Sequence, residues 1–182
     1  MTSGSHQLRA ELTRLTNPPA DAGLEWLDHQ IQKIAKLNEK YPHNIRLEAR
    51  WSQATLEMNC FMYALNLNPD AIRDICSDDV FPGEAFVHFL ISNGCIEAKP
   101  VLPSAASDND VVIYFDAGGK PTHAGIIRGA RIISKWGSRV THIWEHEIFE
   151  VPDYYGDDVR VFRAPDQKRI VLAYIGWATE QL

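Results

Sequence analysis

Three cysteines and seven histidines supply the side chains best suited to nucleophilic, general-base or metal chemistry in this chain. Cys60, Cys76 and Cys95 leave 15 and 18 residues between neighbours, unlike the short spacing of a zinc knuckle, and three thiols cannot all pair with one another. Each is therefore read as a thiol in its own setting. Attack on a carbonyl requires the thiolate. Directly behind Cys60 runs Phe61-Met62-Tyr63-Ala64-Leu65, an apolar helical segment. Its free N–H groups would lower the thiol pKa and help hold an oxyanion. Asn59 is either a further donor to that oxyanion or the cap of the helix. Cys76 lies beside Ser77-Asp78-Asp79, whose carboxylates disfavour thiolate, and Cys95 follows Asn93-Gly94 into an apolar step and reads as a buried structural thiol.

A thiol also needs a base. His123 opens a strand after a Gly-rich turn, with the small Ala124 and Gly125 behind it, so its ring is expected at a sheet edge. His142 and His146 are four apart with Glu145 and Glu147 beside them, but Ile143 and Trp144 make the segment a strand, which separates the two rings; no metal site is expected. His6, His29, His43 and His88 fall in helical or loop contexts. Trp136, Trp144 and Tyr114 are candidates for a substrate groove and equally fit a sheet core.

The elements that must position these groups follow from hydrophobic period and breakers. Leu8, Leu12 and Leu15 mark a helix over 5–16 that Asn17-Pro18-Pro19 ends. Leu24, Leu27, Ile31, Ile34 and Leu37 mark a second over 21–40, stopped by Tyr41-Pro42. This hairpin is read as a scaffold extension spanning 1–50, with a partner-binding or self-inhibitory arm as the other reading. Residues 43–58 show no regular period, and Trp51 sits among polar groups. A helix is predicted over 82–92, with Ala85, Phe86, Phe89 and Leu90 on its apolar face, and a Pro- and Ser-rich link over 99–109. Strands are then predicted at 111–115, 123–127, 131–135, near Trp144 and at 159–162, with Tyr155-Gly156 as the turn before the last; 171–177 is a final strand or a closing helix. Helices first and an antiparallel sheet after them is an α+β order.

The ordered set of motifs resembles a known family. Asn-Cys-Phe-Met-Tyr-Ala-Leu at 59–65, Asp-Val-Val-Ile-Tyr-Phe at 110–115 and Thr-His-Ala-Gly-Ile-Ile at 122–127 resemble the cysteine helix and the two strands around the histidine of NlpC-type and CHAP-type peptidases. Ser134-Lys135-Trp136-Gly137 and Tyr155-Gly156 are similar to a group of small uncharacterised bacterial domains with Asn-Cys, Thr-His-Ala, Ser-Lys-x-Gly and Tyr-Gly in that order. The resemblance covers 57–163. It implies a papain-like domain over 51–182, with N-terminal helices packed on an antiparallel sheet. It also implies a Cys60–His123 dyad and amide-bond chemistry on a peptide, peptidoglycan stem peptides included. Where the family places a polar residue that orients the imidazole, the hairpin turning at Gly129-Ala130 brings Ser134, with Lys135 pointing to the opposite face. His142, Glu145 and His146 stand as alternatives to Ser134. Trp136 is carried as a substrate contact beside Asn59.

The chemistry expected is therefore a cysteine hydrolase, amidase or peptidase, without a cofactor. A deamidase or acyltransferase using the same dyad, or a catalytically weak binding domain, are the alternatives. A hydrophobic share of 45% and a charged share of 23% suit a packed globular chain. A net charge of −6 with scattered Lys and Arg argues against nucleic acid as a partner. No apolar run suggests a membrane span, and Met1–His6 lacks the pattern of a signal peptide. Synthesis in the cytoplasm is expected, and delivery as an antibacterial effector by a signal-independent route would fit, with a cognate inhibitor protein as partner.

Overall fold

The computed structural model describes residues 3–17, 25–50, 52, 58–74, 80–136 and 141–181. Pro18-Pro19, Leu24, Trp51, the 55–57 approach to Cys60, Cys76 with its acidic neighbours, and Gly137 lie outside them. Seven antiparallel strands form one sheet: β1 (Arg46–Ala49), β2 (Ala98–Lys99), β3 (Val111–Phe115), β4 (Pro121–Arg128), β5 (Arg131–Lys135), β6 (Ile143–His146) and β7 (Asp158–Phe162), in the order β1-β6-β5-β4-β3-β7-β2. The α-helices among the described residues are α1 (Ser3–Thr16), α2 (Glu25–Leu37), α3 (Cys60–Ala64), α4 (Pro69–Ile72), α5 (Glu84–Ser92) and α6 (Gln167–Thr179). The class is α+β.

Helices cover both faces of the sheet, and strand alternation divides the core accordingly. On one face Val111, Ile113, Phe115, Ala124 and Phe162 meet α3, α4, α5 and α6 through Phe61, Ile72, Phe86 and Tyr174. On the other, Val112, Tyr114, Ile127, Ile132, Trp136 and Trp144 meet Leu8, Leu12 and Ile34 of α1 and α2. Covering both faces explains why every residue of β3 is buried, an unbroken apolar run rather than an alternating one. The segment 171–177 belongs to a helix, α6, capped by Asp166, whose side chain accepts from the N–H of Arg169.

Within the first 50 residues, α1, α2 and β1 pack against the sheet. β1 pairs with β6, with Arg46 opposite Glu145 and Leu47 opposite Trp144, in a stretch where the sequence shows no period. Four residues at a sheet edge, half-buried at alternate positions, give too short a signal to read. Helix α1 is fastened by Arg9, which is 1% exposed. Its guanidinium donates to the carbonyls of Gly156 (2.9 Å), Asp153 (3.3 Å) and Pro152 (3.4 Å) and pairs with Asp157. Arg9→Met is expected to destabilise the fold by about 2–4 kcal/mol, because the carbonyls it serves lose a charged donor. Urea unfolding of the two proteins checks this, and a loss below about 0.5 kcal/mol would refute the anchoring role.

Candidate thiol site and the opposite-face histidine cluster

Cys60 is the first residue of α3, which packs on β4 and β5. Its side chain is almost wholly buried. Asn59 is the cap: its Oδ1 accepts from the N–H of Met62 (2.8 Å), and its Nδ2 donates to the carbonyl of Pro82 (3.1 Å). Both ends of that amide hold the helix start in place, and the Pro82 bond engages one of the two Nδ2 hydrogens. The helix ends with the N–H of Leu67 on the carbonyl of Met62 and that of Asn66 on Tyr63, with Asn66 left-handed.

Burial pushes the Cys60 thiol up to about 11, against the lowering effects of the Ala124 N–H, the charge of Lys135, and the N–H groups of Phe61 and Cys60 itself. The helix start and strand β4 thus do surround the sulfur with donors. The cation acting on it is Lys135 of β5, which has no exposed surface. Burial lowers the Lys135 ammonium to about 8, with Cys60 working the other way. Its Nζ donates to the hydroxyl of Thr141 (3.1 Å).

His123 is not in this site. Register decides the point: Ala124 pairs with Ile113, and His123 pairs with Tyr114. Directly paired residues share a face, and neighbours in a strand do not. Ala124 and Ile113 belong to the Cys60 face, Tyr114 to the face under α1 and α2. The His123 ring accordingly stacks flat on Tyr155, centroids 3.8 Å apart and planes 4° from parallel, and lies 5.5 Å from Tyr114. Neither of its ring nitrogens has a hydrogen-bond partner among the described residues. Burial first, and the nearby His146 second, hold it neutral, far below its ordinary pKa. The Cys60–His123 dyad is therefore corrected: one residue of phase in β4 separates the two groups by the thickness of the sheet. No protein-family model, curated protein or solved structure matches the chain.

The remaining expected residues sort by the same alternation. Ser134 does fall on the His123 face, but its partner is His146, at 2.7 Å from Oγ to Nε2. The other His146 nitrogen, Nδ1, lies 2.7 Å from the carbonyl of Glu147 and must carry the proton, so the Ser134 hydroxyl donates to Nε2. Trp136 donates from Nε1 to Ser134 Oγ (3.1 Å). It is fully buried against Trp144, with centroids 5.4 Å apart, and so contacts no groove; residues 132, 134 and 136 all face α1 and α2. Tyr114 is core too, its hydroxyl on the carbonyl of Ile148 (2.7 Å). His142 reaches the carbonyl of Leu27 (3.1 Å), away from the His146 partners, and Glu145 pairs with Arg131 (3.2 Å). Cys95 is only partly buried, not the fully buried thiol expected.

What sequence reasoning missed is Lys135. The hairpin count already turned it to the face opposite His123, and that face holds Cys60. No helix of the described residues is long and apolar enough to cross a membrane.

Proposed function

We propose that this protein is a cysteine hydrolase acting on an amide bond of a peptide, with Cys60 as nucleophile and Lys135, rather than His123, as its proton acceptor and donor. The observation that carries the reading is the Cys60 sulfur at a helix start, among the N–H groups of Ala124 and Phe61, with a buried ammonium facing it from β5. A cysteine opening a helix laid on an antiparallel sheet is also what the resemblance to NlpC-type peptidases implies, and peptidoglycan stem peptides are the first substrates to test.

The Lys135 amine takes the thiol proton as sulfur bonds to the carbonyl carbon. The N–H groups of Ala124 and Phe61 receive the oxyanion. Collapse breaks the C–N bond, the Lys135 ammonium returns the proton to the leaving amine, and water then hydrolyses the thioester. Because the amine is the active form, hydrolysis should rise with pH through about 8.

Lys135→Met is expected to lower Cys60-dependent hydrolysis by about a hundredfold or more. It should also raise stability at neutral pH by about 2 kcal/mol, since a buried ammonium is removed. Incubation with purified peptidoglycan and a peptide library, read by mass, supplies the assay. Cys60→Ala should form no product. His123→Phe, which keeps the stack on Tyr155, should retain activity. Full activity in Lys135→Met, or its loss in folded His123→Phe, would overturn the assignment of the base.

A second reading has one observation in its favour. A thiol pushed up to about 11 suits a binding domain that no longer cuts. Alkylation rates of Cys60 against pH separate the two. A midpoint near 11 with no product from the wild type selects the binding domain.

A further inference from the structure

We infer that a surface pocket of about 490 Å³ beside α3 is a binding site for a neutral amide group, seating a peptide segment about two residues from the bond that Cys60 attacks. The inference rests on the proposed hydrolase reading for its link to Cys60, while the pocket itself is argued from its lining. Asn66 and Asn109 both line it, together with Tyr63 and the apolar Met58, Ile126 and Pro165.

Asn66 and Asn109 are the two residues other than glycine with positive φ among those described, at 51° and 70°. Glycine is the unstrained choice in that region, and asparagine the next most tolerated. A structural need for positive φ would be met by glycine at either place. Asparagine adds a carboxamide, and here two exposed asparagines line one pocket. Their backbones are pinned: Gln167 Nε2 donates to the carbonyl of Asn66 (3.0 Å), and the Asn109 N–H donates to that of Ile127 (2.8 Å). Neighbouring Asp110 stiffens the same wall by accepting from the N–H of Ala164 (3.1 Å). Neither carboxamide, nor the Tyr63 hydroxyl, hydrogen-bonds to another described residue.

No lining residue is charged. The nearest charges acting on Tyr63 are Arg128 and Glu48, and these are tied to each other at 2.7 Å. A charged side chain entering the pocket would find no counter-ion on its lining. A primary amide meets both a donor and an acceptor on each asparagine. The position relative to the thiol follows from the elements. Ala64 is four residues along α3 from Cys60, and Ile126 is two along β4 from Ala124. Each step is roughly 6–7 Å, the length of about two extended peptide residues.

The test uses the full chain carrying Cys60→Ala, so that nothing is turned over. Acetyl-Gly-Gln-Gly N-methylamide and its Glu and Lys counterparts, in which glutamine alone supplies a primary amide, are titrated into 15N-labelled protein, and the side-chain amide signals of Asn66 and Asn109 are followed. The glutamine peptide should shift both signals and bind at least about tenfold more tightly than either charged peptide. Asn66→Gly and Asn109→Gly, which suit the positive φ and so preserve the fold, should each weaken it by about fivefold. Equal response to all three peptides, no shift at these two residues, or unchanged binding in the glycine variants would overturn the site. Failure of the hydrolase reading shows elsewhere, as absence of Cys60-dependent product from the wild type, and leaves the binding result standing.

Discussion

Gly156→Ala is expected to cost about 4 kcal/mol or more, a large fraction of the stability of a typical domain. Gly156 follows the turn Asp153–Tyr155 and has φ 88° and ψ 178°, a region that only glycine occupies freely. A Cβ there would lie 2.0 Å from the carbonyl oxygen of Phe115 and 2.7 Å from its carbon. Both atoms belong to the backbone of β3, which is held between β4 and β7 and cannot move aside. The Gly156 carbonyl is also one of the acceptors of Arg9, so the clash reaches the seat of α1. Gly176→Ala in α6 is the matched control. Nothing lies within 4 Å of its Cβ position, and a small gain of about 0.5–1 kcal/mol is expected. Thermal and urea unfolding of both variants would decide it. A Gly156→Ala protein within about 1 kcal/mol of wild type would show that this turn is not built as described.

The second large effect is acid lability. His146 is fully buried, and burial lowers it to about 4, partly opposed by its bond to the Glu147 carbonyl. Burial also lowers His142, and His123 lies well below its ordinary value. In the unfolded chain these imidazoles take up protons near pH 6.5. Between there and about 4 the unfolded chain binds more protons than the fold, so stability falls as pH falls through that window. For His146 alone the loss approaches about 3 kcal/mol once the pH is below its folded value. Equilibrium urea unfolding at several values from pH 7.5 to 4.5 measures the slope. His123→Phe should flatten it by removing one of the titrating rings while keeping an aromatic ring on Tyr155. A stability that stays level from pH 7 to 5 in the wild type would contradict the burial of these rings as neutral groups.

Lys135→Met is expected to separate stability from function. A buried ammonium lowered to about 8 holds the fold below the stability that methionine would allow at that position. Residues retained against stability mark sites where some other requirement prevails. On the proposed hydrolase reading, that requirement is proton exchange with the Cys60 thiol.

Helix and strand types along most of this chain were legible because their periods are long and strongly marked. The leucine stripe of α1, the apolar run of β3 and the turn at Gly129-Ala130 each express a local preference. Cys60 at a helix start was legible for the same reason: a polar cap and an apolar helix are neighbours in sequence. β1 was not, since a four-residue edge strand has no period to detect. Nor was the partner of the thiol. Sequence order put His123 and Cys60 in the expected succession, but which face of β4 meets α3 is fixed by the register of β3 against β4 and by the helices that close each side. Pleating inverts the side chain at every residue, so a motif can be in order and still present its histidine to the wrong layer. The sequence by itself determined most of the longer elements, the helix start at Cys60 and the alternation that sets Lys135 against Ser134. Only the tertiary structure decided that Lys135 faces the sulfur, and that His123, Ser134 and His146 are buried together beneath α1 and α2.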